Sequence, residues 1–137
     1  MPDRLPFIVW RSDYSVGNEL LDSHHRKMFE VINTLYHEIR ESKFKLGVAE
    51  SHIGDLVEYA RVHFRAEEQI MEAHGYPELQ KHREAHHKFE DKISSLRSRL
   101  IKNGDLDAHE ILDFLKKWWT SHIIKRDKDY QPYIING

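Results

Sequence analysis

The chain contains no cysteine among its 137 residues. Disulfide bonds, thiolate metal sites and thiol catalysis are therefore excluded, and histidine must supply any soft metal ligand. An excess of one charge is also missing, because 21 Lys and Arg stand against 23 Asp and Glu. This balance gives no electrostatic case for binding nucleic acid or an anionic membrane, and it favours a small partner.

Long apolar runs are absent as well. No segment reaches the roughly 18 consecutive apolar residues that suggest a transmembrane helix. The first residues, MPDRLPFIVW, lack the basic start and long apolar segment of a signal peptide. We therefore expect a cytoplasmic protein, and its length suits one domain over residues 1–137 with a core of its own.

Four segments carry apolar residues at alternating steps of three and four, the spacing of a helix face packed against near-parallel neighbours. The first is predicted to follow an N-cap at Asn18 and to run to about Arg40. The others are predicted to run from about Val48 to His74, about Pro77 to Lys102 and Asp107 to about Arg126. Short turns such as Gly75-Tyr76-Pro77 and Asn103-Gly104-Asp105 make successive helices antiparallel. The predicted fold is all-α, an antiparallel up-down-up-down four-helix bundle over about residues 18–130. Residues 1–16, too apolar for a free tail, form an extended N-terminal arm packed along it.

Histidine is abundant, with 11 residues, and several lie on the inward faces of these helices. The polar residues at inward positions are His25, His63, Glu67, His82, His86 and His122. Burying the charge of Glu67 without a partner costs at least several kcal/mol, which favours a metal cation between the helices. His82 and His86, four residues apart, lie about 6 Å from each other on one helix face and can share an ion.

An isolated inward histidine is more often a hydrogen-bonded core residue, and single pairs at this spacing arise by chance. His86 and Glu90 form such a pair, which we set aside because Glu90 leaves the inward face. The metal hypothesis depends instead on all four helices, since antiparallel order brings the six residues to one end of the bundle. Asp127 is added as a second carboxylate because we expect the chain to fray near Arg126. On an ideal helix it would lie about 140° beyond His122.

The sequence resembles the hemerythrin family, close to its single-domain bacterial members. The resemblance rests on W-R-S-D-Y-S-V-G from Trp10, L-D-S-H-H from Leu21, H-F-R-A-E-E from His63, G-Y-P from Gly75, H-R-E-A-H from His82 and H-I-I-K-R-D-K-D-Y from His122. These motifs follow one another in order from Trp10 to Tyr130. The resemblance implies reversible binding of molecular oxygen at a non-haem centre of two iron ions.

Carried over to this sequence, the resemblance implies that His82, His86 and His122 ligate one iron and that His25 and His63 ligate the other. Glu67 and Asp127 would bridge the two irons together with an oxo or hydroxo group. The second iron would keep an open position for oxygen. The dry walls of the oxygen pocket would come from Phe64, Trp118, Trp119 and Ile123.

Two positions depart from the family pattern. His24 stands where glutamine usually precedes the first ligand, and we assign the ligand role to His25 because it shares a helix face with Met28. His24 is then expected behind the ligands or at the surface. Trp119 stands where a smaller leucine is usual, so its indole would narrow or shield the pocket. We expect Glu68 on a solvated face, and solvent-facing or capping roles for His37, His52, His74, His87 and His109.

Three functions compete on these residues. Oxygen storage or delivery is favoured, because five histidines with two carboxylates suit reversible binding better than the carboxylate-rich sites of ferritin-like oxidases. The alternatives are an oxygen- or redox-sensing domain, in contact with or fused to a signalling module, and a di-iron enzyme acting on peroxide or nitric oxide. We expect an oxygen-binding protein with at most weak oxidase or peroxidase side activity.

Overall fold

The computed structural model describes residues 6–41, 45–103 and 105–134, which contain helices and no strand. The long helices are α1 (Glu19–Glu41), α2 (Leu46–Ala73), α3 (Leu79–Asn103) and α4 (Asp105–His122). A π-helical turn (Ile123–Asp127) follows, and then a short α5 (Lys128–Ile134). Consecutive long helices pack on each other and α4 also packs on α1, which closes the predicted four-helix bundle. None of the described helices combines the length and apolar composition of a membrane span.

The predicted inward faces form the core. It is apolar except at one level of the bundle, the polar level, where the inward histidines lie. A large apolar cluster includes Met28 on α1, Ala60 on α2 and Phe89 on α3. A smaller cluster contains Val16, Leu21, Met71, Tyr76, Tyr130 and Ile134, with Ile70 and Leu79 partly buried against it. Along each of α1, α2 and α3 the inward histidines lie between residues of these two clusters, so apolar layers enclose the polar level on both sides.

As predicted, the described part of the arm packs along the bundle. The backbone N–H groups of Phe7 and Ile8 donate to Asn33 Oδ1 at 2.8 and 2.9 Å, and Asn33 Nδ2 donates to the carbonyl of Ile8 at 2.9 Å. Ile8 is 2% exposed. The side chain of Asn33 on α1 therefore provides hydrogen-bond partners for backbone groups of the arm that have none in a helix or a sheet.

The start of α1 agrees with the prediction, and other helix boundaries differ from it. Asn18 caps α1 as expected, since its Oδ1 accepts a hydrogen bond from the N–H of Leu21 at 3.0 Å. The third helix starts at Leu79 instead of Pro77, because the chain first turns through Gly75, whose φ of +68° is a left-handed conformation that glycine adopts without strain. The predicted fraying near Arg126 is wrong. Helical structure continues through the π-helical turn into α5.

Candidate metal centre

The structure brings the seven predicted ligands together in the interior, each at most 5% exposed. They are His25, His63, Glu67, His82, His86, His122 and Asp127. They divide into two sets, and within each set one nitrogen or oxygen of every residue lies within 4.8 Å of the others. The three-histidine set is Glu67, His82, His86 and His122, and the two-histidine set is His25, His63, Glu67 and Asp127.

Glu67 belongs to both sets and turns one oxygen towards each. Its Oε1 lies 3.2 Å from Nε2 of His82 and 3.0 Å from Nε2 of His86. Its Oε2 lies 3.6 Å from Nε2 of His25 and 3.5 Å from Nε2 of His63. A carboxylate in this position can bridge two ions.

Asp127 is placed in the same way from the opposite side. Its Oδ1 lies 2.9 Å from Nε2 of His82 and 3.1 Å from Nε2 of His122, and its Oδ2 lies 3.2 Å from Nε2 of His25. The π-helical turn explains how a residue five positions after His122 reaches that cluster. A π-turn closes with an i to i+5 hydrogen bond, so it contains one residue more than an α-turn and returns Asp127 to the side of His122.

The donor atoms fit metal ions and are poorly satisfied without them. Within the described residues, Nε2 of His25, His63 and His86 and both carboxylate oxygens of Asp127 are buried. They lie close to other polar atoms of the cluster, but none makes a hydrogen bond of acceptable geometry. Buried polar atoms without a partner are rare in proteins. Imidazole nitrogens combined with carboxylate oxygens suit iron and other first-row metals, and two dications would offset two buried carboxylates.

The pKa values show how the residues balance charge in the metal-free chain. Burial lowers the pKa of His25 and His82, but the carboxylates of Asp127 and Glu67 outweigh it and raise these pKa values to about 9 and about 10. Burial dominates at His63 and lowers its pKa to about 4. Burial alone would raise the pKa of Glu67 and Asp127, yet the surrounding histidines hold both well below their usual values. Metal binding would therefore displace protons from histidines beside ionised carboxylates.

Comparison with known proteins identifies this arrangement. The model of the hemerythrin HHE cation binding domain matches residues 16–134. The chain belongs to the hemerythrin family. It is 33% identical to the bacteriohemerythrin of Clostridium acetobutylicum over 126 residues, which cover 89% of this chain and 97% of that protein. It is 31% identical to the bacteriohemerythrin of Stenotrophomonas maltophilia over 130 residues, or 95% of this chain and 83% of that protein.

Solved structures agree on the fold. The crystal structure of a wild-type hemerythrin superposes with a TM-score of 0.82 at 23% identity, covering 94% of this chain and 98% of that one. A hemerythrin variant gives a TM-score of 0.84 at 22% identity, covering 96% and 99%. The predicted all-α bundle is confirmed.

One residue beside this hemerythrin-family centre was wrongly predicted from the sequence. Glu68, predicted on a solvated face, is half-buried, and its Oε2 accepts from Nδ1 of His86 at 2.7 Å. The prediction for Glu68 is therefore wrong. Its only sequence signal was its position next to Glu67 in the H-F-R-A-E-E motif. A carboxylate on Nδ1 fixes the histidine tautomer that leaves Nε2 free for a metal.

His24 and Tyr130 also act behind the cluster. Nδ1 of His24 lies 3.0 Å from Nδ1 of His63, while His25 lies in the two-histidine set, as expected from the helix face. The fully buried Tyr130 donates its O–H to Oε2 of Glu67 at 2.7 Å. Sequence reasoning gave Tyr130 no role, although it ends the last family motif.

The four predicted pocket residues take different places. Phe64 stacks on His86 with ring centroids 3.8 Å apart. Trp119 is fully buried, with ring centroids 6.5 Å from His25 and 5.9 Å from His63. Trp118 stacks on His122 at 4.3 Å, and both line an open groove of about 820 Å³ between α3 and α4. Ile123 is buried in the large apolar cluster.

The remaining predicted histidines lie outside the two sets. His87 and His109 are exposed, and His37 and His52 are half-buried. His74 follows the last residue of α2, and its Nδ1 lies 2.9 Å from the carbonyl oxygen of Ile70, as expected for a capping residue.

Proposed function

We propose that this chain binds molecular oxygen reversibly at a pair of iron ions held by the seven clustered side chains. The observation that carries the proposal is the pair of donor sets that share Glu67, with Asp127 spanning both. His82, His86 and His122 would hold one ion, and His25 and His63 would hold the other. When bound, the two ferrous ions supply the pair of electrons that oxygen takes up, while the protein supplies position and environment.

The unequal number of histidines gives the ions different roles. Glu67 belongs to both sets, and Asp127 also reaches both, with Oδ1 near His82 and His122 and Oδ2 near His25. If both carboxylates are shared, an ion at the two-histidine set would have one protein ligand fewer. That ion is the one with room for a small ligand. An oxo or hydroxo group shared by both ions would leave this difference unchanged.

The surrounding residues keep the ligands oriented and water away. Glu68 and His24 stand behind His86 and His63, and Tyr130 holds one oxygen of Glu67. Phe64 and Trp119, which are 3% and 0% exposed, form an apolar wall beside the two-histidine set. Exclusion of water strengthens electrostatic interactions in such a site and suppresses side reactions.

The test is metal content combined with the visible spectrum of iron-supplied protein under argon, in air and after return to vacuum. We expect two irons per chain and a spectrum that changes in air and reverses under vacuum. Irreversible oxidation within the first cycle, or the absence of stoichiometric iron, would overturn the proposal. Rapid steady-state turnover of peroxide would favour the enzymatic alternative.

A further inference from the structure

Trp119 combines complete burial with an unpaired hydrogen-bond donor. Its relative exposure is 0%, and it leads the fully buried side chains by volume. No hydrogen-bond acceptor among the described residues reaches its Nε1. The N–H of a buried tryptophan usually finds a partner, and each exception in a native structure requires an explanation.

The ring of Trp119 borders the two-histidine set. Its ring centroid lies 6.5 Å from that of His25 and 5.9 Å from that of His63, and it stacks on Phe64 at 5.5 Å. The other fully buried polar aromatic at the centre, Tyr130, has its O–H paired with Glu67 at 2.7 Å. The protein thus satisfies one aromatic donor at the centre and leaves the other free.

The set that Trp119 borders is also the one with fewer histidines. A small ligand held there would lie among the side chains around His25 and His63, which include Trp119. A leucine, which the family pattern has at this position, offers that atom no hydrogen bond. An indole N–H does.

We propose that the N–H of Trp119 donates a hydrogen bond to the outer atom of a small ligand, oxygen or an anion such as azide, held at the two-histidine set. This inference rests on the proposed function. The donor stabilises negative charge that the ligand carries or acquires, and a preorganised donor in a dry site is especially effective. The chain therefore selects ligands whose outer atom is a good acceptor.

The experiment uses azide on the oxidised, iron-loaded protein and compares wild type, Trp119→Phe and Trp10→Phe. Phenylalanine keeps an aromatic ring and removes the N–H. Trp10 is the matched control, because its ring contacts Tyr14 and Phe29 in the arm and on α1. The measurements are the infrared stretch of bound azide in H2O and D2O and the azide dissociation constant.

We expect the azide band of wild type and Trp10→Phe to differ between H2O and D2O, and that of Trp119→Phe to lose this difference. The dissociation constant should rise about tenfold or more in Trp119→Phe alone, as for loss of a hydrogen bond to a charged group. An unchanged isotope effect and affinity in Trp119→Phe would overturn the proposal.

A second measurement needs no variant at position 119 and decides the case if Trp119→Phe does not fold or load iron. Ultraviolet resonance Raman difference spectra of the double variant Trp10→Phe/Trp118→Phe, with and without azide, report hydrogen bonding of the single remaining indole N–H, that of Trp119. A shift on adding azide supports the proposal, and an unchanged indole band overturns it. Iron-loaded wild type that forms no azide band at all would instead contradict the proposed function.

Discussion

The three-histidine set and the two-histidine set share Glu67 but differ in what lies behind their ligands. In the first, Nδ1 of His86 faces the carboxylate of Glu68 at 2.7 Å. In the second, Nδ1 of His63 faces Nδ1 of another imidazole, His24, at 3.0 Å. The flanking tryptophans differ too. Trp118, beside the three-histidine set, is half-buried, whereas Trp119, beside the two-histidine set, is fully buried.

This difference predicts that the two sets bind their ions with different strength. A carboxylate behind a ligating histidine raises its basicity and holds its orientation. On the proposed function, the three-histidine set would retain its ion more strongly. The two-histidine set has one histidine fewer, and its His63 is backed by an imidazole in place of a carboxylate. Substitutions that act on one set, or on what the sets share, can test this comparison.

The largest effect is expected from Glu67→Leu, which removes the residue common to both sets. We expect loss of both irons, because each ion would lose a carboxylate and the remaining buried charge would be reduced. Metal analysis of the purified protein measures this, with Glu72→Leu on the exposed side of α2 as the control. A variant that retains one iron per chain would show that the sets are independent.

The second prediction concerns pH and the metal-free chain, in which histidines of both sets have a raised pKa. His25 and His82 have pKa values of about 9 and about 10, above the unfolded value near 6.5. Protonation of these two histidines stabilises the folded chain. This contribution to the free energy of unfolding, on the order of several kcal/mol, is fully present below pH ~6.5 and is lost as the pH rises through 9 to 10. His63, whose pKa is lowered to about 4, makes the folded chain less stable as pH falls below ~6.5.

Thermal unfolding of the metal-free protein from pH 5 to 10 measures this dependence. We expect a maximum of the melting temperature near pH 6.5 and a fall on the alkaline side. The iron-loaded protein should lack the alkaline fall, because the metal ions replace the histidine protons. A flat alkaline profile of the metal-free protein would contradict the prediction.

Glu68→Gln tests the carboxylate behind the three-histidine set. Loss of such a partner typically weakens metal binding by about 10- to 100-fold. We expect that loss at one of the two irons, measured by competition with a chelator that removes iron in two steps. Glu72→Gln, on the same helix, should leave both steps unchanged.

The smallest effect is expected at His24. His24→Leu removes the partner of His63 Nδ1 and should weaken iron at the two-histidine set by less than about tenfold, because a neutral acceptor contributes less than a charged one. His24→Gln retains a side-chain acceptor and should lie closer to wild type, and His87→Leu at an exposed position is the control. A larger loss in His24→Leu than in Glu68→Gln would reverse the comparison.

Much of the fold and the cluster could be predicted from local patterns. The predicted inward face of α1, from Leu21 to Ile39, is buried throughout. Predictions were less accurate where packing at the end of the bundle decides burial. The three-and-four spacing also predicts inward positions for Ile70 on α2 and Leu79 on α3. Both are only partly buried, because they lie beyond the polar level against the smaller cluster. Glu68 was misjudged because its partner, His86, lies on another helix.

The sequence by itself determined which side chains face the interior, because the period of a helix is a local property of the chain. That was enough to place five histidines and Glu67 at one end of a bundle. Only the tertiary structure decided which atoms meet: the π-helical turn that returns Asp127 to the cluster, the pairing of Glu68 with His86, and the unpaired N–H of Trp119. These depend on the separation and rotation of neighbouring helices to within about an ångström, which the spacing of residues along one helix does not specify.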